Sequence, residues 1–260
     1  MNDFTNTLWI ELLKVRRSRV PWFSAVGLLI LPLAAGFMMF VYQNPEVARS
    51  MGMISAKANL AGGSADWPFY LSVFAQGIAI GGIFLFGLAE SWVFGREFSD
   101  GTLKDLLAVP VSRGAILLAK FVAAAVWSVI LTLLVTTVGL ALGALLRLPL
   151  GSPAVIGGGV VRILVSALLV MLVVTPVALF ASVGRGYLLP LGLIVFFVAI
   201  ANLIAIAGWG SYFPWTVPSL YADAAKAGSL EPVSYWIVFL TGLAGIAVTY
   251  LWWKQADQSR

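Results

Sequence analysis

The chain contains no histidine and no cysteine, which removes the imidazole and thiolate ligands that zinc, haem and iron–sulfur sites depend on, and thiol chemistry with them. Ser211, in the run Gly208-Trp209-Gly210-Ser211, could suggest a nucleophile, but only a lysine could act as its base, and no triad is expected. The side chains able to do something chemical gather instead from Glu90 to Arg113, between two long apolar stretches, where the charges of the chain are densest. Both signs of charge surround three leucines there, a mixture suited to docking. Ser99 or Asp100 can cap a short helix through its side-chain oxygen, Leu103, Leu106 and Leu107 then share one face of it, and Pro110 stops it. Ser112 can cap the next helix near Gly114. A plainer alternative is a solvated loop whose leucines dip into the membrane interface.

Glu90 lies about one turn inside the end of the preceding apolar stretch, where an acid is costly unless water or a cation reaches it. Arg96, Lys120 and the basic run Arg16-Arg17-Ser18-Arg19 are its candidate ion-pair partners. Snorkelling of Glu90 to the interface is the alternative.

The elements that must position these groups are membrane spans. Hydrophobic residues make up 61% of the chain and charged residues 10%, and mean hydropathy is +0.98, against roughly 45–50% apolar usage in soluble domains. At about 20 apolar residues per span, six segments qualify, near Trp22–Tyr42, Phe69–Phe94, Ala115–Leu146, Ile163–Val183, Tyr187–Ala207 and Tyr235–Trp253. The reading is an all-α integral membrane protein with a single transmembrane domain over residues 1–260. No stretch is long or polar enough for a nucleotide-binding domain, which would need about 100–150 residues, so any energy source lies on another chain.

With both termini cytoplasmic, the inner segments carry Lys14, Arg16, Arg17, Arg19, Arg96, Lys104, Arg113, Lys120, Arg185, Lys254 and Arg260. The outer ones carry Arg49, Lys57, Arg147, Arg162 and Lys226, so the sixteen cations divide eleven to five, as the positive-inside rule requires. The net charge of +5 is then a topology signal, and its spread over every inner segment gives no nucleic-acid patch. Before the first span, Phe4, Leu8, Trp9, Leu12 and Leu13 recur at helical spacing ahead of the basic run. They predict an interfacial helix with its cations toward anionic lipid, ended by Pro21, or else an ordinary basic flank.

Gly77 and Gly81, and Gly139 and Gly143, have the spacing that permits close helix approach, by default within one subunit. Pro32, Pro176 and Pro190 are expected to kink or interrupt spans. The span centres carry almost no ionisable residues, so no ion-pump pathway is expected. The outer connection Gly208–Pro232 is rich in Trp209, Tyr212, Phe213 and Trp215; it reads either as a cap over the outer end of a pathway or as an aromatic belt anchoring two spans.

The run from Glu90 through Gly101-Thr102-Leu103-Lys104-Asp105-Leu106-Leu107 to Pro110-Val111-Ser112-Arg113 and Lys120 resembles the signature of ABC-2-type transporter membrane subunits, especially the permeases of bacitracin and lantibiotic resistance systems. Gly184-Arg185-Gly186-Tyr187 and Tyr212-Phe213-Pro214-Trp215-Thr216-Val217-Pro218 resemble that family as well. The resemblance implies an N-terminal elbow helix over residues 1–21, and a cytoplasmic coupling helix between the second and third spans. The coupling residues would be Asp100, Thr102, Leu103, Lys104, Asp105, Leu106, Leu107, Pro110 and Arg113, with Glu90, Arg96 and Lys120 as a supporting ion pair. It further implies two copies of a separate ATPase subunit that holds ATP and magnesium, and a second permease that is a copy or a paralogue. No cofactor is expected on this chain.

On that basis the three leucines are expected to insert into a groove of the ATPase, with Lys104 and Asp105 on its rim. Two rival classes stand beside the permease. A lipid-modifying membrane enzyme would need an interfacial cluster of acids, histidines or cysteines, which the sequence lacks; an immunity or scaffold protein would bind peptide or lipid without transporting it. An apolar pathway favours amphipathic cargo such as a peptide antibiotic, lipid or drug. The lack of an obvious external docking loop for a binding protein favours export.

Overall fold

Helices begin where the sequence supplies a side-chain acceptor, often with a proline beside it. Asp66 accepts from the Phe69 N–H, Ser112 from that of Ala115 and Ser152 from that of Val155, and Pro68 and Pro153 occupy first turns where their missing N–H costs nothing. The computed structural model describes residues 3–44, 46–47, 64–223 and 225–255. Helix α1 spans Asp3–Arg17, α2 Val20–Gln43, α3 Trp67–Ser99, α4 Leu103–Ala108, α5 Arg113–Leu145, α6 Pro153–Val174, α7 Val177–Val183, α8 Leu188–Ile206, α9 Val217–Ala222 and α10 Pro232–Gln255. Among the described residues there is no strand. Six helices, counting α6 and α7 as one broken span, are long and apolar enough to cross a membrane, and the protein is a multi-pass membrane protein. Most of the connection Asn44–Trp67, expected on the outer side, with Arg49 and Lys57, and Arg260 lie outside the described residues.

One boundary in particular differs from expectation. The fourth span starts at Pro153 and not near Ile163, because the Ser152 cap and Pro153 begin the helix ahead of the three glycines 157–159. Arg162, expected in an outer connection, therefore sits inside α6, with its guanidinium 3.5 Å from the Tyr221 carbonyl. Pro176 breaks the span between α6 and α7, Pro32 is carried inside α2, and Pro190 falls in the first turn of α8, where it is tolerated.

Helix α3 is the centre of the bundle and packs along α2, α5, α6 and α7. Trp67, Tyr70 and Phe74 form a ring ladder on it, seated against α5 where Gly139 and Gly143 leave room. A Cβ at Gly143 would lie 2.6 Å from the Trp67 ring and one at Gly139 3.0 Å from Phe74, and the Tyr70 hydroxyl donates to the Gly139 carbonyl at 2.8 Å. Gly77 likewise faces Leu31 of α2. Both glycine pairs thus serve packing within this chain.

With 33 residues each, α3 and α5 run about 50 Å, well beyond the about 30 Å of a hydrocarbon core. Their shared end near Ser99 and Arg113 carries α1, α4 and the end of α10, and this is where the charges meet.

Candidate functional site

Helix α4 is attached through the turn Asp100-Gly101-Thr102. Gly101 adopts φ +71°, a conformation glycine takes at no steric cost, and this lets the chain reverse in two residues. The cap is neither Ser99 nor Asp100: Ser99 remains in α3, Asp100 ends it, and Thr102 stands at the N-cap of α4. Thr102 makes no capping bond, because its hydroxyl donates to Glu97 Oε2 at 2.6 Å.

Glu97 is the hub of a buried ionic cluster. Its Oε1 accepts from Lys14 Nζ at 2.9 Å, Lys120 Nζ at 3.1 Å and Arg96 Nε at 3.3 Å. Glu11 of α1 completes the group, accepting from Lys14 at 2.8 Å and Lys120 at 3.2 Å. Lys120 also donates to the Val93 carbonyl at 3.0 Å, so its three N–H groups are all used. Lys120 is fully buried, and Glu11 and Glu97 retain 2% and 3% exposure. Charges this far from water persist only when paired and hydrogen-bonded. The cluster therefore joins α1, α3, the start of α4 and α5 into one rigid unit. Arg96 lies over the Trp92 ring at 4.8 Å, a cation–π contact that holds its guanidinium in place.

The expected pairing of Glu90 with Arg96 or Lys120 is corrected by this geometry. Because α3 continues unbroken to Ser99, Glu97 lies about two turns, or 10 Å, nearer the end of the helix than Glu90, and the cations reach the nearer acid. Glu90 is 5% exposed and its Oε1 has no hydrogen-bond partner. An unsatisfied buried acceptor costs about 1–3 kcal/mol. Glu90→Met, similar in shape and without the acceptor, is expected to stabilise the purified protein by that amount in thermal unfolding; a lower melting temperature would mean that Glu90 has a partner after all.

The leucine face of α4 also differs from expectation. Leu103 is 8% exposed and packs with Phe94, Leu117 and Trp253, with Leu106 half-buried against the same cluster; the Leu107 side chain lies outside the described residues. Leu103, and in part Leu106, anchor α4 to its own bundle, so Leu103 is not free to fill a groove elsewhere. Among the described residues from Leu103 to Pro110, Lys104, Asp105, Ala108, Val109 and Pro110 are exposed. Arg113 donates to the Trp253 carbonyl at 2.7 Å, a cation at a helix C-terminus, and Trp253 Nε1 donates to Ser182 Oγ. Gly186 of the Gly184-Arg185-Gly186-Tyr187 run touches the same end, because Gly95 of α3 abuts its backbone: a Cβ there would lie 2.8 Å from the Gly186 carbonyl carbon.

At the other end of α8 the four aromatic residues divide. Trp209 and Tyr212 are exposed and edge-on to each other, Phe213 is half-buried, and Trp215 is buried and stacked on Phe197 at 4.9 Å. Trp215 and Thr216 lie beside Ile80 and Ile83 of α3, about 20 Å along that helix from Trp67. The Thr216 hydroxyl shares its one proton between the carbonyls of Gly210 and Phe213, which helps satisfy irregular backbone in an apolar setting.

The site residues that sequence reasoning missed are Glu11, Lys14 and Glu97. A signal for the first existed: Thr7, Glu11 and Val15 recur every four residues, and they are the buried residues of α1. The stripe of Phe4, Leu8, Trp9, Leu12 and Leu13 is left half-buried or exposed.

Comparison with known proteins agrees with this architecture. Residues 7–202 match a family described as ABC-2 family transporter protein. The chain is also similar to the bacitracin transport permease protein BCRB of Bacillus licheniformis, at 26% identity over 181 residues, covering 68% of this chain and 85% of that protein.

Proposed function

The chain belongs to the ABC-2 family of transporter proteins, and from that premise we propose that it is the permease subunit of an ATP-driven exporter. A separate ATPase, present in two copies and holding ATP and magnesium, supplies the energy. A second permease, either another copy of this chain or a close paralogue, completes the pathway. The subunit sits in the cell membrane with both termini cytoplasmic, a reading supported by the excess of cations in the segments assigned to the inner side. Its cargo is amphipathic; similarity to a permease named for bacitracin transport favours a peptide antibiotic, while lipids and drugs share the same chemistry.

The observation that carries this reading is α4 itself, a helix clamped by leucines and by the Thr102–Glu97 bond to the ends of α3 and α5, with a free outer face. ATP-driven closure of a partner moves spans only through a rigid contact, and α4, bonded into the ionic cluster, passes displacement on to α1 and α5 together. The coupling contact runs through Lys104, Asp105, Ala108, Val109 and Pro110, with the leucines as its foundation. The segment Gly208–Pro232, lying beside the middle of α3, serves as the outer closure of the pathway.

The test is co-purification of the ATPase with the tagged permease, together with vanadate-sensitive ATP hydrolysis. Val109 is 49% exposed, so Val109→Asp leaves the fold intact and places a charge in the contact. At least a tenfold loss of retained ATPase is expected, with membrane levels unchanged. Full coupled transport by this variant would refute the docking face, and a wild-type permease that never retains an ATPase would favour the immunity or scaffold reading.

A further inference from the structure

Between α1, α2 and α5 lies an apolar groove of about 520 Å³, walled by Leu12, Val15, Trp22, Trp127 and Ile130, with Arg16 its charged lining residue. That volume is within the about 300–1,000 Å³ of ligand sites. Its walls are fixed. Trp127 Nε1 donates to Ser24 Oγ at 3.2 Å, which pins the indole, and Val15 belongs to the buried cluster below α4.

Charge sets this groove apart. Lys14, Arg96 and Lys120 are consumed by Glu11 and Glu97, whereas Arg16, Arg17 and Arg19 are exposed and have no acidic partner among the described residues. Arg16, whose guanidinium can grip a phosphate with two parallel N–H donors, thus lines an oily slot between two membrane spans, with Arg17 and Arg19 next to it along the chain. A protein helix does not suit it: at about 10 Å diameter, a helix would fill such a volume in about 7 Å, little more than one turn.

We propose that this groove binds an anionic glycerophospholipid, one acyl chain lying along Val15, Trp127 and Ile130 and the phosphate held by Arg16, with Arg17 and Arg19 flanking. The lipid then bridges α1 to the α2–α5 pair on the face adjoining Glu11, so α1 is held by ions and by lipid on neighbouring faces. Negatively charged lipid concentrates at cytoplasmic leaflets, the leaflet that α1 faces in the topology given above.

The experiment is native mass spectrometry of the detergent-purified protein, titrated with phosphatidylglycerol and with phosphatidylcholine of the same acyl chains. Phosphatidylglycerol is expected to bind at least tenfold more tightly. Arg16→Gln should remove about tenfold of that preference and leave phosphatidylcholine unchanged. Ile130→Trp, at a position 47% exposed and so outside the packed core, should weaken both lipids by filling the slot. Equal affinity for the two lipids overturns the proposal. An effect of Arg16→Gln without one of Ile130→Trp also overturns it, by reducing the site to a surface headgroup contact. Loss of a protein dimer in Ile130→Trp, with lipid binding unchanged, assigns the groove to a second copy of the chain and overturns it too.

Discussion

Lys120→Met is expected to destabilise the protein by about 3–5 kcal/mol, the cost of removing one partner from a buried ionic group. Methionine keeps the length of the stem, so the loss is electrostatic: Glu11 and Glu97 remain buried with only Lys14 and Arg96 between them, and the Val93 carbonyl loses its donor. Thermal unfolding of the purified protein measures it. The diagnostic comparison adds Glu11→Leu, which removes one of the stranded carboxylates and should restore part of the stability. Such non-additivity is the signature of residues sharing a network. A loss below about 1 kcal/mol for Lys120→Met would mean that the cluster is solvated and contributes as surface pairs do.

The second large effect is expected at Gly245, where α10 crosses the break between α6 and α7. A Cβ there would lie 2.6 Å from the Pro176 nitrogen and 2.9 Å from the Thr175 carbonyl carbon, and neither backbone atom can turn aside as a side chain would. Gly245→Val therefore has to push α10 away and stretch the Thr175 hydroxyl from the Gly242 carbonyl, now at 3.1 Å. Overpacking costs about 1–3 kcal/mol and more where the obstacle is backbone, and the hydroxyl is left with the Leu172 carbonyl alone, at 2.9 Å; little folded protein should be recovered after detergent extraction. Gly157→Ala is the control, since it lies within α6 with nothing within 4 Å of its Cβ. It should stabilise by about 0.5–1 kcal/mol.

What the sequence discloses and what it withholds divide along a physical line. Spans follow from local composition, so six apolar runs are visible without any knowledge of neighbours. The short helix after α3 follows from local turn chemistry, and so do Ser112 as a cap and Pro110 as a stop. The ionic cluster depends on pairing across 109 residues between Glu11 and Lys120, and nothing in the local spacing chooses Glu97 over Glu90 as the paired acid. That choice depends on α3 remaining helical to Ser99, past the expected span end at Phe94. Orientation of the leucines is equally non-local: three leucines on one face state that the face is buried, but only the angle of the Asp100-Gly101-Thr102 turn decides against what. Helix α1 misleads for a related reason. In a membrane protein the apolar stripe can face lipid while the protein side carries Thr7 and Glu11, so the usual inside–outside reading of amphipathicity reverses.

The separation of the acids from their cations along the chain also has a meaning in time. Glu11 is made early and Lys120 only 109 residues later, which at about 5–20 residues per second is about 5–20 s of synthesis. Throughout that interval Glu11 has only Lys14 beside it, and an acid so poorly matched has no reason to leave water. Helix α1, made before the elements that hold it, is thus among the last to be seated. Its docking waits for the third and fifth helices, and a chain that stops before Lys120 leaves its N-terminal helix undocked and distinguishable to quality control.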